Sequence, residues 1–340
     1  MTRSSINRWL RSAPVRQTAR RVGKVAPWVL AGLVLVLVVR QAMLIDWGEV
    51  RSAVTDLPIK VLALAAAVAL AGHMTFAAYD LVARRAVGHA ASAKRSALIG
   101  GISYAMNLNF GALVGGVAVR LNLYRRAGVP LRQGSLVVAG GMAANWCAWC
   151  VLVAGALLWA DPLLWPTNWP DLAYGWRLVA AGVALAIPAL VLLACVYRAG
   201  QRLWRRNIAR WPNWQHAATW LLLALLSWSL ACTVVWVLLQ GAAPWWAVAG
   251  ALMLAAIAGV VTHVPAGLGV LEAVVLTALA GLAPQPTLLA ALLAYRAVYY
   301  VLPLAFALLA YAWLEARTKG SLPAEDKHDA RIQKAQQASS

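Results

Sequence analysis

This 340-residue chain contains six long apolar stretches. The length of each is close to or above the ~20 residues that a helix needs to cross a bilayer. Hydrophobic residues make up 62% of the chain and charged residues 12%, against roughly 45–50% and about 25% in soluble domains. Since so much apolar surface needs lipid as its solvent, we predict an all-α polytopic membrane protein. The six stretches are residues 27–45, 59–82, 134–160, 176–196, 217–239 and 288–314.

The net charge of +19 indicates membrane topology rather than nucleic-acid binding. Of the 30 Lys and Arg residues, 25 fall in five segments between apolar stretches or at the termini. Loops rich in Lys and Arg stay in the cytoplasm and meet anionic lipid headgroups. We therefore expect a multi-pass protein of the bacterial inner membrane with both termini in the cytoplasm and no nucleic-acid partner. The five segments are residues 1–24, 83–96, 120–133, 198–216 and 315–340.

Residues 97–119 are long enough to span the membrane, yet both flanking loops are strongly basic. A single crossing here would put nine basic residues on the wrong side of the membrane. The segment contains five glycines together with Asn107 and Asn109, which suits two half-helices around a polar backbone break. We predict a re-entrant helical hairpin that enters from the cytoplasm.

A second interrupted segment covers residues 247–282, where two apolar pieces of about 16 residues flank a Pro-Gly sequence. Pro265 removes a backbone donor, and Gly267 and Gly269 further interrupt the helix. We predict a second hairpin, entered from the outside. The expected fold is six full spans plus two oppositely oriented re-entrant hairpins, an arrangement typical of inverted repeats. It lies between a basic tail, residues 1–24, and a polar, disordered tail, residues 316–340.

Glu272 and Arg296 are the strongest candidates for a functional site. Glu272 lies about two turns beyond the Pro-Gly break, and Arg296 lies roughly 13 Å into the last span. A charge at such depth costs at least about 2.5–3.5 kcal/mol, so each side chain should face the bundle interior and find a partner. The alternatives are a structural ion pair and a role in headgroup, ion or proton handling.

Polar residues of the first hairpin are weaker candidates. An anionic headgroup could bind at its exposed backbone amides, near Asn107 and Asn109, with Arg120 as the counter-charge. Alternatively, the asparagines satisfy the broken backbone and Arg120 extends to the interface. His73 and Asp80, seven residues apart on one helix face, are given no function because Asp80 lies close to the basic interface.

No sequence motif indicates an enzyme. The chain has no P-loop, H-E-x-x-H or G-x-S-x-G motif. Cys147 and Cys150 form a C-x-x-C inside a predicted span, but no second pair or nearby His completes a zinc site. We expect no catalytic residue, no metal, no cofactor and no ATP hydrolysis by the chain itself.

Three stretches together resemble the lysylphosphatidylglycerol synthase transmembrane family, also called the flippase-like family. The more specific element is the P-x-G-x-G-x-x-E pattern of residues 265–272, followed by an intramembrane Arg at position 296. The other elements are residues 103–109 running into 115–120, and residues 295–303. The resemblance covers about residues 25–315, the expected transmembrane domain.

This resemblance implies movement of an anionic phospholipid, or of a related lipid such as a hopanoid or polyprenyl carrier. It does not imply synthesis, since aminoacyl transfer in two-domain relatives belongs to a soluble carboxy-terminal domain. Many relatives carry an acidic residue where this chain has Gly116 and Val117, so a headgroup preference is not implied.

The leading hypothesis is a lipid translocase in which the facing hairpins form a polar cavity. Glu272 and Arg296 would form its charged floor. Arg120 and Asn107 would receive a phosphate from the cytoplasmic side. The alternative is a non-catalytic intramembrane scaffold that partners a lipid-synthesis enzyme or assembles as a homo-oligomer, and an intramembrane transferase is a third, weaker hypothesis.

Overall fold

A computed structural model describes residues 47–159, 170–196, 213–262 and 264–320. All the secondary-structure elements named in these ranges are helices. The first half contains α1 Trp47–Thr55, α2 Ile59–Val87, α3 Ala93–Gly111, a π-helix Ala112–Val119, α4 Arg120–Arg126, α5 Leu131–Trp159 and α6 Pro170–Val196. The second half contains α7 Trp214–Leu238, α8 Trp245–Thr262, a 3-10 turn Pro265–Gly267, α9 Val270–Ala278, α10 Gln285–Tyr295, a second π-helix Arg296–Val301 and α11 Leu302–Gly320.

Six helices of the described chain are long and apolar enough to cross a membrane. Five of them coincide closely with predicted spans, and the all-α polytopic fold class is confirmed. The sixth is α8, and the predicted span at residues 27–45 lies outside the described residues. The six candidate spans are Ile59–Val87, Leu131–Trp159, Gly175–Val196, Trp214–Leu238, Trp245–Thr262 and Gln285–Leu314.

The first hairpin, residues 93–126, consists of α3 packed alongside the π-helix, with α4 following. The chain turns at Gly111, whose φ of 82° favours glycine. A Cβ at Gly115 would collide with the backbone of Met106, so glycine is what allows the two legs to touch. Asn107 and Asn109 lie within α3. The break at Gly111 therefore follows the two asparagines by a few residues, and re-entry into a bilayer stays a prediction.

The second hairpin, residues 245–278, joins α8 to α9 through the 3-10 turn. Ala266, Gly267 and Gly269 have positive φ angles. Because a right-handed α-helix requires negative φ angles, the helix is interrupted at these residues. The two legs are unequal, with 18 residues in α8 and 9 in α9. The prediction of two pieces of about equal length is therefore wrong, because the chain leaves α9 at Ala278 and turns again at Gly281.

Helices α2 and α7 pack against each other along the centre of the bundle, and α3 lies against α2. The 3-10 turn of the second hairpin packs against α3 of the first, so the two hairpins are in contact. That they enter the bilayer from opposite sides stays a prediction. The continuous helix of residues 285–320 also packs on α2 and α3. It extends five residues beyond the predicted domain boundary at 315, and the predicted tail at residues 1–24 lies outside the described chain.

Candidate functional site: two ion pairs on facing hairpins

Glu272 and Arg296 form an ion pair between α9 and the second π-helix. Arg296 Nε donates to Glu272 Oε1 at 2.8 Å, and Nη2 donates to Oε2 at 3.2 Å. Their side chains are 20% and 12% exposed, so the pair is covered but not sealed. The expectation that each deep charge finds a partner is confirmed for these two residues, while their functional role stays a prediction.

The same arginine also closes the turn of the second hairpin. Its Nη1 donates to the carbonyl of Ala266 at 2.5 Å and its Nη2 to that of Gly267 at 3.0 Å. Glu272 Oε2 accepts the backbone N–H of Gly269 at 2.8 Å, which caps α9. A broken helix leaves such backbone groups without helical partners, so the ion pair satisfies the backbone that the break frees.

Pro265 begins the 3-10 turn whose next two carbonyls contact Arg296. Of the other two predicted residues of the break, Gly267 contributes its carbonyl and Gly269 its backbone N–H. On the opposite side, the Tyr300 ring lies 4.8 Å from the Arg296 guanidinium carbon, a cation–π geometry.

Arg120 does not join this site and instead pairs with Asp80 of α2. Arg120 Nε lies 3.2 Å from Asp80 Oδ2, and the Tyr124 hydroxyl donates to the same oxygen at 2.8 Å. Asp80 is fully buried and Arg120 is 4% exposed. Gly100 makes room for the carboxylate, since a Cβ there would lie 3.0 Å from Asp80 Cγ.

Asp80 is therefore a residue that sequence reasoning missed. Its closeness to Arg84 in sequence placed it at the interface, but α3 and α4 cover it. The signal that could have found it is Arg120, since a buried guanidinium needs an acid and Asp80 is the nearest acidic residue along the chain.

The two asparagines of the first hairpin differ in their contacts. Asn109 Nδ2 donates to the carbonyl of Ala105 at 2.8 Å and to that of Tyr300 at 3.2 Å, which ties α3 to the second π-helix. Asn107 faces the opposite leg, where a Cβ at Gly116 would lie 2.8 Å from its Oδ1. Asn109 thus bridges to the helix that carries Arg296, whereas Asn107 packs within its own hairpin.

A row of aromatic side chains lies between the two ion pairs. The Tyr104 and Tyr299 hydroxyls share a hydrogen bond of 2.8 Å, and Phe76 stacks on Tyr104 with a centroid distance of 3.9 Å. His73 Nε2 donates to the carbonyl of Tyr299 at 3.1 Å. Arg120 lies 6.0 Å from the Phe76 ring on the far side of this row. The polar groups of both hairpins are thus connected through packed rings.

Residues 25–307 match the family described as the lysylphosphatidylglycerol synthase TM region. The chain belongs to this family. The matched residues include both hairpins and both ion pairs. The family resemblance expected from the sequence is thereby confirmed.

Two relatives match nearly the whole length of this chain. Inner membrane protein YbhN of Escherichia coli (strain K12) is 32% identical over 302 residues, which is 88% of this chain and 94% of the relative. The protein slr0712 of Synechocystis (strain ATCC 27184 / PCC 6803 / Kazusa) is 29% identical over 314 residues, 87% of this chain and 94% of the relative. This member of the family is a multi-pass membrane protein.

Both arginines of the two ion pairs, Arg120 and Arg296, adjoin a π-helix. One π-helix ends at Val119, directly before Arg120, and the other begins at Arg296. Such wide helical turns are frequent at functional sites, because they shift a side chain out of regular register. The site holds a positive charge that is largely covered, and a charged hydrogen-bond donor is what recognition of an anionic group requires.

Proposed function

We propose that this chain moves an anionic phospholipid, or a related isoprenoid lipid, between the leaflets of the bacterial inner membrane. In this proposal both termini lie in the cytoplasm, and the chain does not itself hydrolyse ATP. The observation that carries it is the Glu272–Arg296 pair, which lies where two interrupted helices meet and keeps some exposure. The relative named as an inner membrane protein supports the location.

The physical obstacle to lipid translocation is the headgroup, because a charge in hydrocarbon costs several kcal/mol whereas the acyl chains can stay in lipid. An arginine offers a phosphate two parallel N–H donors, as it does a carboxylate. In the proposed mechanism the phosphate competes with Glu272 for Arg296. The carboxylate restores the resting pair when the lipid leaves.

The test is leaflet exchange of a fluorescent anionic phospholipid in proteoliposomes that contain the full chain. Glu272→Gln keeps the shape of the side chain but removes the charge that competes with the lipid. We expect the exchange rate to fall at least about tenfold, the equivalent of one charge-assisted hydrogen bond, because no carboxylate then restores the resting pair.

Thr277→Val on the same helix is the matched control. Its hydroxyl is exposed and, among the described residues, bonds only to the carbonyl of Ala273 one turn back, so exchange should be unchanged. Equal exchange by wild type, Glu272→Gln and Thr277→Val would remove the ion pair from the mechanism. No exchange by wild type beyond empty liposomes would refute the proposal itself.

A second candidate is a non-catalytic intramembrane scaffold that binds a lipid-synthesis enzyme or a second copy of the chain. The hydrogen bonding of the turn favours this candidate, since Arg296 donates to two backbone carbonyls and Glu272 accepts one backbone N–H. Such bonds suit a permanent lock. Co-purification of an enzyme in the absence of lipid exchange would support this candidate over translocation.

A further inference from the structure

The base of the first hairpin gathers basic residues from three separate chain segments. Hydrogen bonds join the end of α2 to the loop before α3, and the start of α3 to the end of α4. Residues 83–96 and 120–133 contain no acidic residue. A positive surface on this side of a membrane protein is ordinary. The basic residues are Arg84, Arg85, Lys94, Arg95, Arg125 and Arg126.

Two of these arginines are held in place by backbone carbonyls. Arg84 Nε donates to the carbonyl of Ala91 at 2.7 Å, and Arg95 Nη2 donates to that of Arg126 at 3.2 Å. Each contact uses a single nitrogen of the guanidinium. Since the other guanidinium nitrogens of Arg84 and Arg95 bond to no described residue, each side chain is oriented while most of its donors stay available.

His89 lies in the loop between α2 and α3, and only 4% of it is exposed. Neither ring nitrogen has a hydrogen-bond partner among the described residues. Burying such polar atoms without partners is costly, so a buried, unbonded ring at a basic surface indicates a missing ligand. The ring packs edge-on against Tyr124 at 5.1 Å.

The position of Tyr124 connects this loop to the interior. Its hydroxyl donates to Asp80, the partner of the buried Arg120. A group bound at His89 would therefore be separated from the Asp80–Arg120 ion pair by one side chain, Tyr124. The amino-terminal end of the 19-residue α3, with Ser92 as its cap, adds a partial positive charge at the same place.

We propose that Arg84, His89 and Arg95 form a binding site for the phosphodiester of an anionic phospholipid in the cytoplasmic leaflet. This inference rests on the proposed function and identifies where its substrate is first bound. The two arginines supply charge-assisted donors, and the imidazole N–H supplies a third donor from within the protein. The acyl chains extend into the bilayer beside the first hairpin.

The test is a binding titration of the purified full chain with phosphatidylglycerol and, separately, phosphatidylcholine, followed by native mass spectrometry. Arg84→Gln/Arg95→Gln should weaken phosphatidylglycerol binding about tenfold or more, since two charge-assisted bonds are lost. Arg85→Gln/Lys94→Gln removes the same charge from the same two helix ends and should change binding less than about twofold. Equal losses in both double variants would mean general attraction, and no loss in either would mean no site; both outcomes overturn the proposal.

His89→Phe tests the same site if the Arg84→Gln/Arg95→Gln variant fails to fold. It keeps an aromatic ring against Tyr124 and removes the two unbonded nitrogens, so the protein should be at least as stable as wild type. Binding of phosphatidylglycerol should still fall severalfold. Unchanged binding by a folded His89→Phe protein overturns the proposal, whatever the arginine variant does.

Two further measurements complete the test. One distinguishes a lipid headgroup from free phosphate as the ligand, and the other distinguishes failure of this inference from failure of the proposed function. Inorganic phosphate at millimolar concentration should not displace phosphatidylglycerol, and displacement would assign the site to free phosphate instead. Wild-type protein that exchanges lipid in a Glu272-dependent way but does not prefer phosphatidylglycerol overturns this inference alone. Preference for phosphatidylglycerol without exchange overturns the proposed function alone.

Discussion

The two hairpins solve the same electrostatic problem with opposite assignments of charge. In the first hairpin, the hairpin itself supplies the cation, Arg120, and the preceding helix α2 supplies the anion, Asp80. In the second, the hairpin supplies the anion, Glu272, and the following helix supplies the cation, Arg296. Each pair thus joins a hairpin to a neighbouring long helix of the bundle.

The pairs differ in what else they touch. Asp80 and Arg120 are 0% and 4% exposed, and the further hydrogen bond to Asp80 comes from a side chain, Tyr124. Glu272 and Arg296 are more exposed and bond to three backbone groups of the turn. The sealed pair can act only as a lock unless the helices separate. The partly open pair can exchange a partner without unfolding the hairpin, which is why the proposed function is assigned there.

The largest expected effect tests the sealed pair. Asp80→Asn leaves Arg120 charged and buried without its counter-ion, because a guanidinium cannot lose its proton. We expect about 3–5 kcal/mol of destabilisation, measured by thermal or denaturant unfolding in detergent. The double variant Asp80→Asn/Arg120→Gln should recover a large part of this loss. A double variant as unstable as the single one would contradict a sealed ion pair.

The corresponding change in the open pair should cost less. In Glu272→Gln, Arg296 keeps its bonds to the carbonyls of Ala266 and Gly267 and its contact with Tyr300. We expect about 1.5–3 kcal/mol of destabilisation in the same unfolding assay, with Thr277→Val as the control. If Glu272→Gln and Asp80→Asn cost the same, the distinction between a lock and an exchangeable pair is lost.

A third prediction concerns how each hairpin closes. The first hairpin depends on direct backbone contact at Gly115, whereas the second is joined by Arg296. Gly115→Ala should destabilise the protein by about 1–3 kcal/mol, since the legs must move apart. Gly101→Ala is the matched control, because its Cβ would meet only Ala77 at 3.8 Å and alanine is the better helix former. Equal stability of the two variants would show that the legs separate easily.

Much of the architecture could be predicted from the sequence because it depends on local composition. Apolar length gave five of the spans, and glycine and proline gave both interruptions. The pairing of Glu272 with Arg296 followed from the cost of isolated charges in lipid. The lengths of the hairpin legs did not follow, since α8 gains Trp245 and Trp246 at its start and the chain leaves α9 at Ala278.

The sealed pair could not be predicted in the same way, because burial near a helix end is decided by what packs over it. Asp80 lies seven residues before the end of α2, at a depth that sequence alone assigns to the interface. The adjoining hairpin covers it, and Arg120 turns inward instead of extending to the headgroups. Position along a helix gives depth, but only tertiary packing gives access to water.

The smallest expected effect concerns pH: protonation of His89, which lies near the buried Asp80–Arg120 pair, should lower the stability of the protein. Burial lowers the pKa of His89, and the positive charge of Arg84 lowers it further. Among the described residues, the titratable Tyr124 of α4 also packs against the ring. Because the unfolded chain binds the proton more readily, His89 contributes full stability above its unfolded pKa of about 6.5 and loses it as pH falls below that value. The loss cannot exceed about 1.4 kcal/mol per pH unit for one proton.

The measurement is the unfolding midpoint of wild type and of His89→Phe between pH of about 8 and about 5. The midpoint of wild type should fall relative to the variant only in the acidic part of this range, because phenylalanine has no proton to bind. Parallel midpoints would mean that His89 is protonated as easily in the folded protein as in the unfolded chain. In that case the ring is open to water, and the Asp80–Arg120 pair is less sealed from water than its burial indicates.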